Sequence, residues 1–315
     1  MIAYVVRRLA LSVVVVWGLA TVTFFMLHLL VPGDPVRRAL GPRASEETIS
    51  NLRHQLGFDR PVLEQYGSFL GGLLHGDLGT SLSLSAPVSQ ILGDRILPSA
   101  LLIAYGLVVA FAIGLPLGIL SAIRPNGTAD HGVRIGTTFV FGMPVFWLGL
   151  ILALVFGLKL GWFPVSGYRS GVGGTFKTLT LPALTLGLSL VVIVTRTLRS
   201  NLINVLKSEY IEAARSRGLS ERRIIGKLAM RNAIMPTFTI LGALIGYLIG
   251  GTVVIEQVYQ IPGAGSLLVR SILQRDFQTV LAVTLISGAA VVTVSFLTDV
   301  LQAVLDPRVR LEGKS

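Results

Sequence analysis

The 315 residues are 52% hydrophobic and 14% charged, with a mean hydropathy of +0.73, which excludes an ordinary soluble globular protein and makes the bilayer the expected solvent. No cysteine is present, and His28, His54, His75 and His131 form no i, i+4 pair, so neither a disulfide framework nor a metal site is expected. The net charge of +11 sits largely on membrane-proximal loops, which gives it a topological explanation and makes a nucleic-acid partner unnecessary, while contact with anionic membrane lipid and steering of an acidic partner both stay open.

Six windows free of Asp, Glu, Lys and Arg follow one another: Leu9–Val31, Ser99–Ile123, Ile135–Leu158, Thr178–Thr195, Ala233–Ile255 and Thr279–Thr298. Each approaches or exceeds the roughly 20 residues a membrane-crossing helix needs, and none alternates as a barrel strand would. The expected fold is all-α and integral to the membrane, with six transmembrane helices. The first window follows Arg7 and Arg8, is too long for a signal-peptide core, lacks a small-x-small cleavage pattern, and is read as a retained span.

Between the first two spans, Ser45 with Glu46 and Glu47 signals a helix carrying Ile49, Leu52 and Leu56, stopped by Gly57. Pro61 opens a second, with Val62, Tyr66, Phe69, Leu70 and Leu73 as its stripe. Both are expected to lie over the outer mouth of the spans. The segment Gly76-Asp77-Leu78-Gly79 then reads either as a loop shaped by its glycines or as an external partner contact.

Pro116, Pro144 and Pro182 suggest kinks or helix starts. Gly114 and Gly118 permit close helix approach, as do Gly242, Gly246 and Gly250 in the fifth span, where packing competes with a pathway contact. Asp299 and Glu256 lie just beyond their windows, and Asp299 is expected at the interface. The windows contain no Asp, Glu, Lys or Arg that would carry proton or sodium coupling. Gly313-Lys-Ser315 cannot be a phosphate loop, because Arg308 stands where its first glycine belongs. No catalytic residue is assigned.

Sixteen of the 27 Lys and Arg fall on the side holding the two termini, nine of them from Arg196 to Arg231. Both termini are therefore expected in the cytoplasm. The expected organisation is residues 1–31 as tail and first span, 32–98 as an external helical region, 99–303 as a five-span core with a cytoplasmic loop at 199–233, and 304–315 as a cytoplasmic tail.

Within that loop, Ser208 with Glu209 and Glu212 starts a helix that Gly218 stops. Tyr210, Ile211, Ala213 and Ala214 provide a partly apolar face suited to a groove on another protein. Ser220 begins a second, basic helix from Glu221 to Ala233 ahead of Pro236. The alternative is a loop that is merely positive-inside.

At these residues the chain resembles the inner-membrane permeases of ATP-binding-cassette importers, in the dipeptide, oligopeptide and nickel branch. The Glu-Ala-Ala, three residues, Gly motif stands as Glu212-Ala213-Ala214-Arg-Ser-Arg-Gly218. An ordered series accompanies it: Tyr4 with Arg7-Arg8, Pro32-Gly-Asp-Pro35, Leu56-Gly-Phe-Asp-Arg-Pro61, Gly76-Asp-Leu-Gly79, Arg231-Asn232 with Pro236, Ile261-Pro-Gly-Ala-Gly265 and Asp306-Pro-Arg308. The interval from Gly218 to Pro236 is longer than in sugar-transporting relatives.

The resemblance implies a type I importer permease fold, a bacterial or archaeal plasma-membrane location and alternating access. It implies that Tyr210, Glu212, Ala213, Ala214, Arg215 and Gly218 form a coupling helix docked on an ATPase. The implied partners are a second homologous permease subunit, two ATP-binding subunits that hold ATP and Mg2+, and an extracytoplasmic substrate-binding protein; the chain itself would hold no cofactor. A peptide or similar small polar solute is the implied cargo, and the competing reading is a self-sufficient secondary transporter or channel.

Overall fold

A computed structural model of the chain describes residues 2–30, 35–41 and 43–305. The motif segments Pro32-Gly-Asp34, Asp306-Pro-Arg308 and Gly313-Lys-Ser315 lie outside the described residues. Fourteen helices and one two-strand hairpin are described: α1 Ile2–Leu30, α2 Pro35–Leu40, α3 Glu46–Gln55, α4 Val62–Leu74, β1 Thr80–Ser81, β2 Ala86–Pro87, α5 Val88–Ile123, α6 Thr128–Phe141 and α7 Val145–Leu152, which continues as a π-helical turn over Ala153–Lys159. Then come α8 Val172–Leu206, α9 Glu209–Ser216, α10 Glu221–Arg223 with a π-helical continuation over Ile224–Ala229, α11 Met230–Ala233, α12 Met235–Tyr259, α13 Ala264–Gln274 and α14 Phe277–Leu305.

Among the described residues, four helices are long and apolar enough to cross a membrane, or up to six if each of two bent pairs is one span. Helices prevail because in hydrocarbon every backbone N–H and C=O must find its partner inside the segment. The third window is not one straight span: α6 and α7 meet at an angle of 101°. Pro144 is responsible, since it cannot donate and disfavours helical backbone at Met143; it stands as the residue that opens α7, with φ −55° and ψ 135°. The helix of the second window begins earlier than expected, at Val88, and runs through Pro98.

The chain divides into two compact units, residues 1–99 with 262–300, and residues 100–261 with 301–315. In the first, α4 lies along α1. Tyr66 hydroxyl and Thr21 Oγ1 are 2.6 Å apart, and Phe24 stacks on Phe69 with ring centroids 5.4 Å apart. Ser45 caps α3 as expected, accepting from Thr48 N at 3.2 Å, and Gly57 follows the helix with φ +72°. Arg8 pairs with Asp299 at 2.6 Å, joining α1 to α14.

The hairpin β1–β2 was not expected from sequence. Its anchor is the buried Ser81, whose hydroxyl donates to the buried Asp276; Thr279 Oγ1 donates to the same carboxylate at 2.9 Å.

The second unit is built around α8, whose buried face includes Leu179, Leu186, Leu190 and Val194 and joins Leu102, Leu152, Leu248 and Tyr259 in one core. Tyr259 donates to the carbonyl of Gly149 at 2.9 Å and lies 3.0 Å from Thr185 Oγ1, so its buried hydroxyl is satisfied. Glycines let α5 approach α8 closely. A Cβ on Gly114 would stand 2.7 Å from Val194 Cγ1, and one on Gly118 would stand 3.1 Å from Leu198 Cβ. Without an aqueous drive between helices in lipid, such close packing is a main source of their association. Glu256 is fully buried, whereas a position ending its span was expected.

Candidate functional site

The charged loop forms a compact knob on the second unit. Helix α9 runs over Glu209–Ser216, and Ile211 and Ala214, three residues apart, point into a core with Leu198, Leu202, Ile224, Ala229 and Ala233. This changes the expected docking face. Of its four residues, Ile211 and Ala214 are occupied by the chain's own packing, while Tyr210 and Ala213 are exposed with Glu209 and Glu212. A helix this short holds its place through tertiary packing rather than intrinsic stability, and the side chains of Ile211 and Ala214 serve that end.

Three devices hold the knob. Gly218 adopts φ +77°, its N–H donates to Arg215 O at 2.9 Å, and Leu219 N donates to Ala214 O at 3.2 Å; together these bonds terminate α9 with a left-handed residue that glycine adopts without strain. Arg215 grips Glu221 with Nε to Oε1 at 2.7 Å and Nη2 to Oε2 at 3.4 Å. The guanidinium lowers the Glu221 pKa below the usual carboxylate range, and the carboxylate raises that of Arg215. Asn232 Nδ2 donates to the Tyr210 hydroxyl at 2.9 Å.

Ser208 occupies the capping position of α9, but its hydroxyl donates back to Val205 O at 2.6 Å instead of capping the new helix. It thereby satisfies one of the carbonyls left open at the end of α8. Ser220 likewise makes no side-chain cap.

The other candidates are dispersed. In the loop before β1, Asp77 Oδ1 accepts from Gly79 N at 2.8 Å, and Gly76 and Gly79 have φ +75° and +79°. A Cβ on Gly79 would meet Gln278 Oε1 at 3.0 Å, so the glycine gives close approach within its own unit. Gly246 and Gly250 lie on α12; a Cβ on Gly250 would meet nothing within 4 Å, and the surroundings of Gly242 lie outside what is described. Among the described residues, no group of three or more His, Cys, Asp or Glu could hold a metal.

Sequence reasoning missed a buried charge cluster. Asp130, fully buried on α6, accepts from Arg199 Nε at 2.7 Å, Arg199 Nη2 at 2.6 Å and Asn126 N at 2.8 Å, and from the Ser121 hydroxyl. One signal was available: Asp130 is the sole carboxylate between Asp94 and Glu209.

Long apolar helices, close helix packing and one structured polar knob define a multi-pass membrane component. The chain matches the family model "Binding-protein-dependent transport system inner membrane component" over residues 114–311 and "Binding-prot-dependent transport system membrane comp, N-term" over residues 1–98. It belongs to that family, and it is a permease of an ABC importer.

It is 36% identical to the oligopeptide transport system permease protein AppB of Bacillus subtilis (strain 168), over 98% of this chain and 99% of that protein. It is 35% identical to the glutathione transport system permease protein GsiC of Pectobacterium atrosepticum, over 98% and 99% respectively. A solved chain of the MetNI methionine ABC transporter, in inward facing conformations, shares the fold with a TM-score of 0.55 at 18% identity, covering 69% of this chain and 97% of that one.

Proposed function

We propose that this permease carries peptides or similar small polar solutes, as half of a translocation pathway completed by a second homologous permease. Two ATP-binding subunits, holding ATP and Mg2+, would power alternating access, and a substrate-binding protein would deliver cargo on the extracytoplasmic side. The chain supplies no catalytic residue in this reading, and both termini face the cytoplasm. The names of the full-length relatives, an oligopeptide and a glutathione permease, support the cargo class.

The observation that carries the coupling role is the division of α9 into two faces. Ile211 and Ala214 anchor it inward, while Tyr210, Glu212 and Ala213 stand outward on a helix locked by Arg215 and Gly218. A rigid, outward-facing knob can transmit a displacement from a soluble subunit to α8 and α12; a mobile polar loop would dissipate it. The test is peptide uptake into proteoliposomes containing the reconstituted complex. Uptake that requires ATP and is lost in Glu212→Lys, with ATP hydrolysis continuing, supports the proposal. Uptake by this chain alone under an ion gradient would overturn it.

A further inference from the structure

The second unit contains a cavity of about 840 Å³ between α6 and α8 that the coupling knob does not use. Along α6 its lining residues are His131, Arg134, Ile135 and Phe139, which recur at helical spacing and share one face; α8 contributes Arg196 and Arg199. The two helices run antiparallel here. Arg199 meets Asp130 at one level, and Arg196 Nη2 donates to Thr138 Oγ1 at 2.8 Å two turns further along α6.

Asp130 neutralises Arg199. Arg134 and Arg196 have no carboxylate within ion-pairing distance among the described residues, so the cavity holds two guanidinium groups without a counter-charge. It also exposes large apolar groups, with Ile135 at 71% and Phe139 at 68%.

The sequence fixes the depth of this site. On α6 the charge-free window opens at Ile135, immediately after Arg134; on α8 the charge-free window closes at Thr195, immediately before Arg196. Two independent water–hydrocarbon boundaries therefore meet in one cavity. A soluble anion would use the arginines and leave Ile135 and Phe139 without a partner. An anionic amphiphile would use both.

We infer that this cavity binds the phosphate headgroup of an anionic phospholipid, with Arg134 and Arg196 on the phosphate, Arg199 held in place by Asp130, and an acyl chain against Ile135 and Phe139. Basic pockets between membrane helices are suited to such headgroups. The chemistry that the arginines recognise, a phosphate monoanion, is shared with free inorganic phosphate; the apolar rim commits the site to lipid.

The test uses the full-length chain, purified with its associated subunits, in nanodiscs of phosphatidylcholine containing a minority of phosphatidylglycerol, with retained lipid read by native mass spectrometry. Phosphatidylglycerol is expected to be retained in preference. Arg134→Gln and Arg196→Gln should each reduce its retention about fivefold, and the Arg134→Lys/Arg196→Lys double variant should keep most of it. Ile135→Ser/Phe139→Ser should also reduce retention, without touching the charges. Undiminished phosphatidylglycerol in the Gln double variant overturns the proposal. So does displacement of the lipid by inorganic phosphate, which would mark a free-anion site, or by a peptide, which would mark a cargo pathway.

Discussion

Arg199 and Asp130 form a two-pronged ion pair, Nε to Oδ1 at 2.7 Å and Nη2 to Oδ2 at 2.6 Å, that ties the last third of α8 to the first turn of α6. The carboxylate is fully buried and its remaining acceptor capacity goes to Ser121 and Asn126, so losing the guanidinium leaves a buried charge without its counter-ion. Arg199→Met should destabilise the detergent-solubilised chain by roughly 3 kcal/mol. Arg199→Met combined with Asp130→Asn should cost less than the sum of the two single variants. Thermal aggregation midpoints of the four proteins check this; additive losses would refute the pairing.

The glycines of α5 and α8 give a second expectation. A Cβ on Gly187 would stand 2.7 Å from Val109 Cβ and 2.8 Å from the Gly106 carbonyl oxygen, and the latter cannot rotate away. Gly187→Val should cost about 1–3 kcal/mol through overpacking. Gly250→Ala meets no neighbour within 4 Å and should leave the chain's own melting unchanged or slightly raised. If Gly250 serves contact with the second permease, a larger residue there will lower complex recovery on size exclusion without lowering the melting temperature.

If α9 has the proposed coupling role, its exposed face and its buried face should respond differently to substitution. Glu212→Lys should uncouple ATP hydrolysis from uptake in the reconstituted complex while the melting temperature of the chain stays constant. Ile211→Asp puts a charge in the core below the helix and should lower the melting temperature by several degrees on top of any docking loss. Equal stability in both variants would show that the inward face carries no packing role.

The Arg215–Glu221 clasp sets a pH dependence. Because Arg215 depresses the Glu221 pKa in the folded chain, the clasp contributes above the unfolded carboxylate value of about 4.3 and is lost as pH falls through the lower folded value. Both groups are exposed, so the effect is small and weakened by salt. Hydrogen exchange over residues 215–221 should be faster in Glu221→Gln than in the unaltered chain at neutral pH, and the difference should close in strong acid. A difference independent of pH would remove the ion pair from the account.

The absence of cysteine makes the orientation directly testable. Ser85→Cys and Ser216→Cys both introduce exposed thiols. A membrane-impermeant maleimide applied outside should label the first in intact cells and the second only after permeabilisation. The reverse pattern would invert the proposed topology.

Local signals were legible where a short stretch of chain decides the outcome. Ser45, Gly57 and Gly218 act on backbone groups within a few residues, and their caps and stops stand where the chemistry requires them. The composition of the apolar windows likewise determined that the chain is helical and membrane-embedded, because hydrocarbon leaves the backbone little alternative.

What the windows could not convey was how the third would bend, since a charge count is blind to the break that Pro144 imposes between α6 and α7. Nor could spacing along α9 say which of its apolar residues would be buried and which exposed. Only packing against Leu198, Leu202 and Ile224 turned Ile211 and Ala214 inward and left Tyr210, Glu212 and Ala213 outside. The union of Asp130 with Arg199, 69 residues apart, and the cavity beside it likewise exist only once α6 and α8 are side by side. Sequence determined solvent, helicity and the location of the polar knob because those depend on local composition; tertiary structure decided faces, charge pairs and cavities because those depend on which distant residues meet.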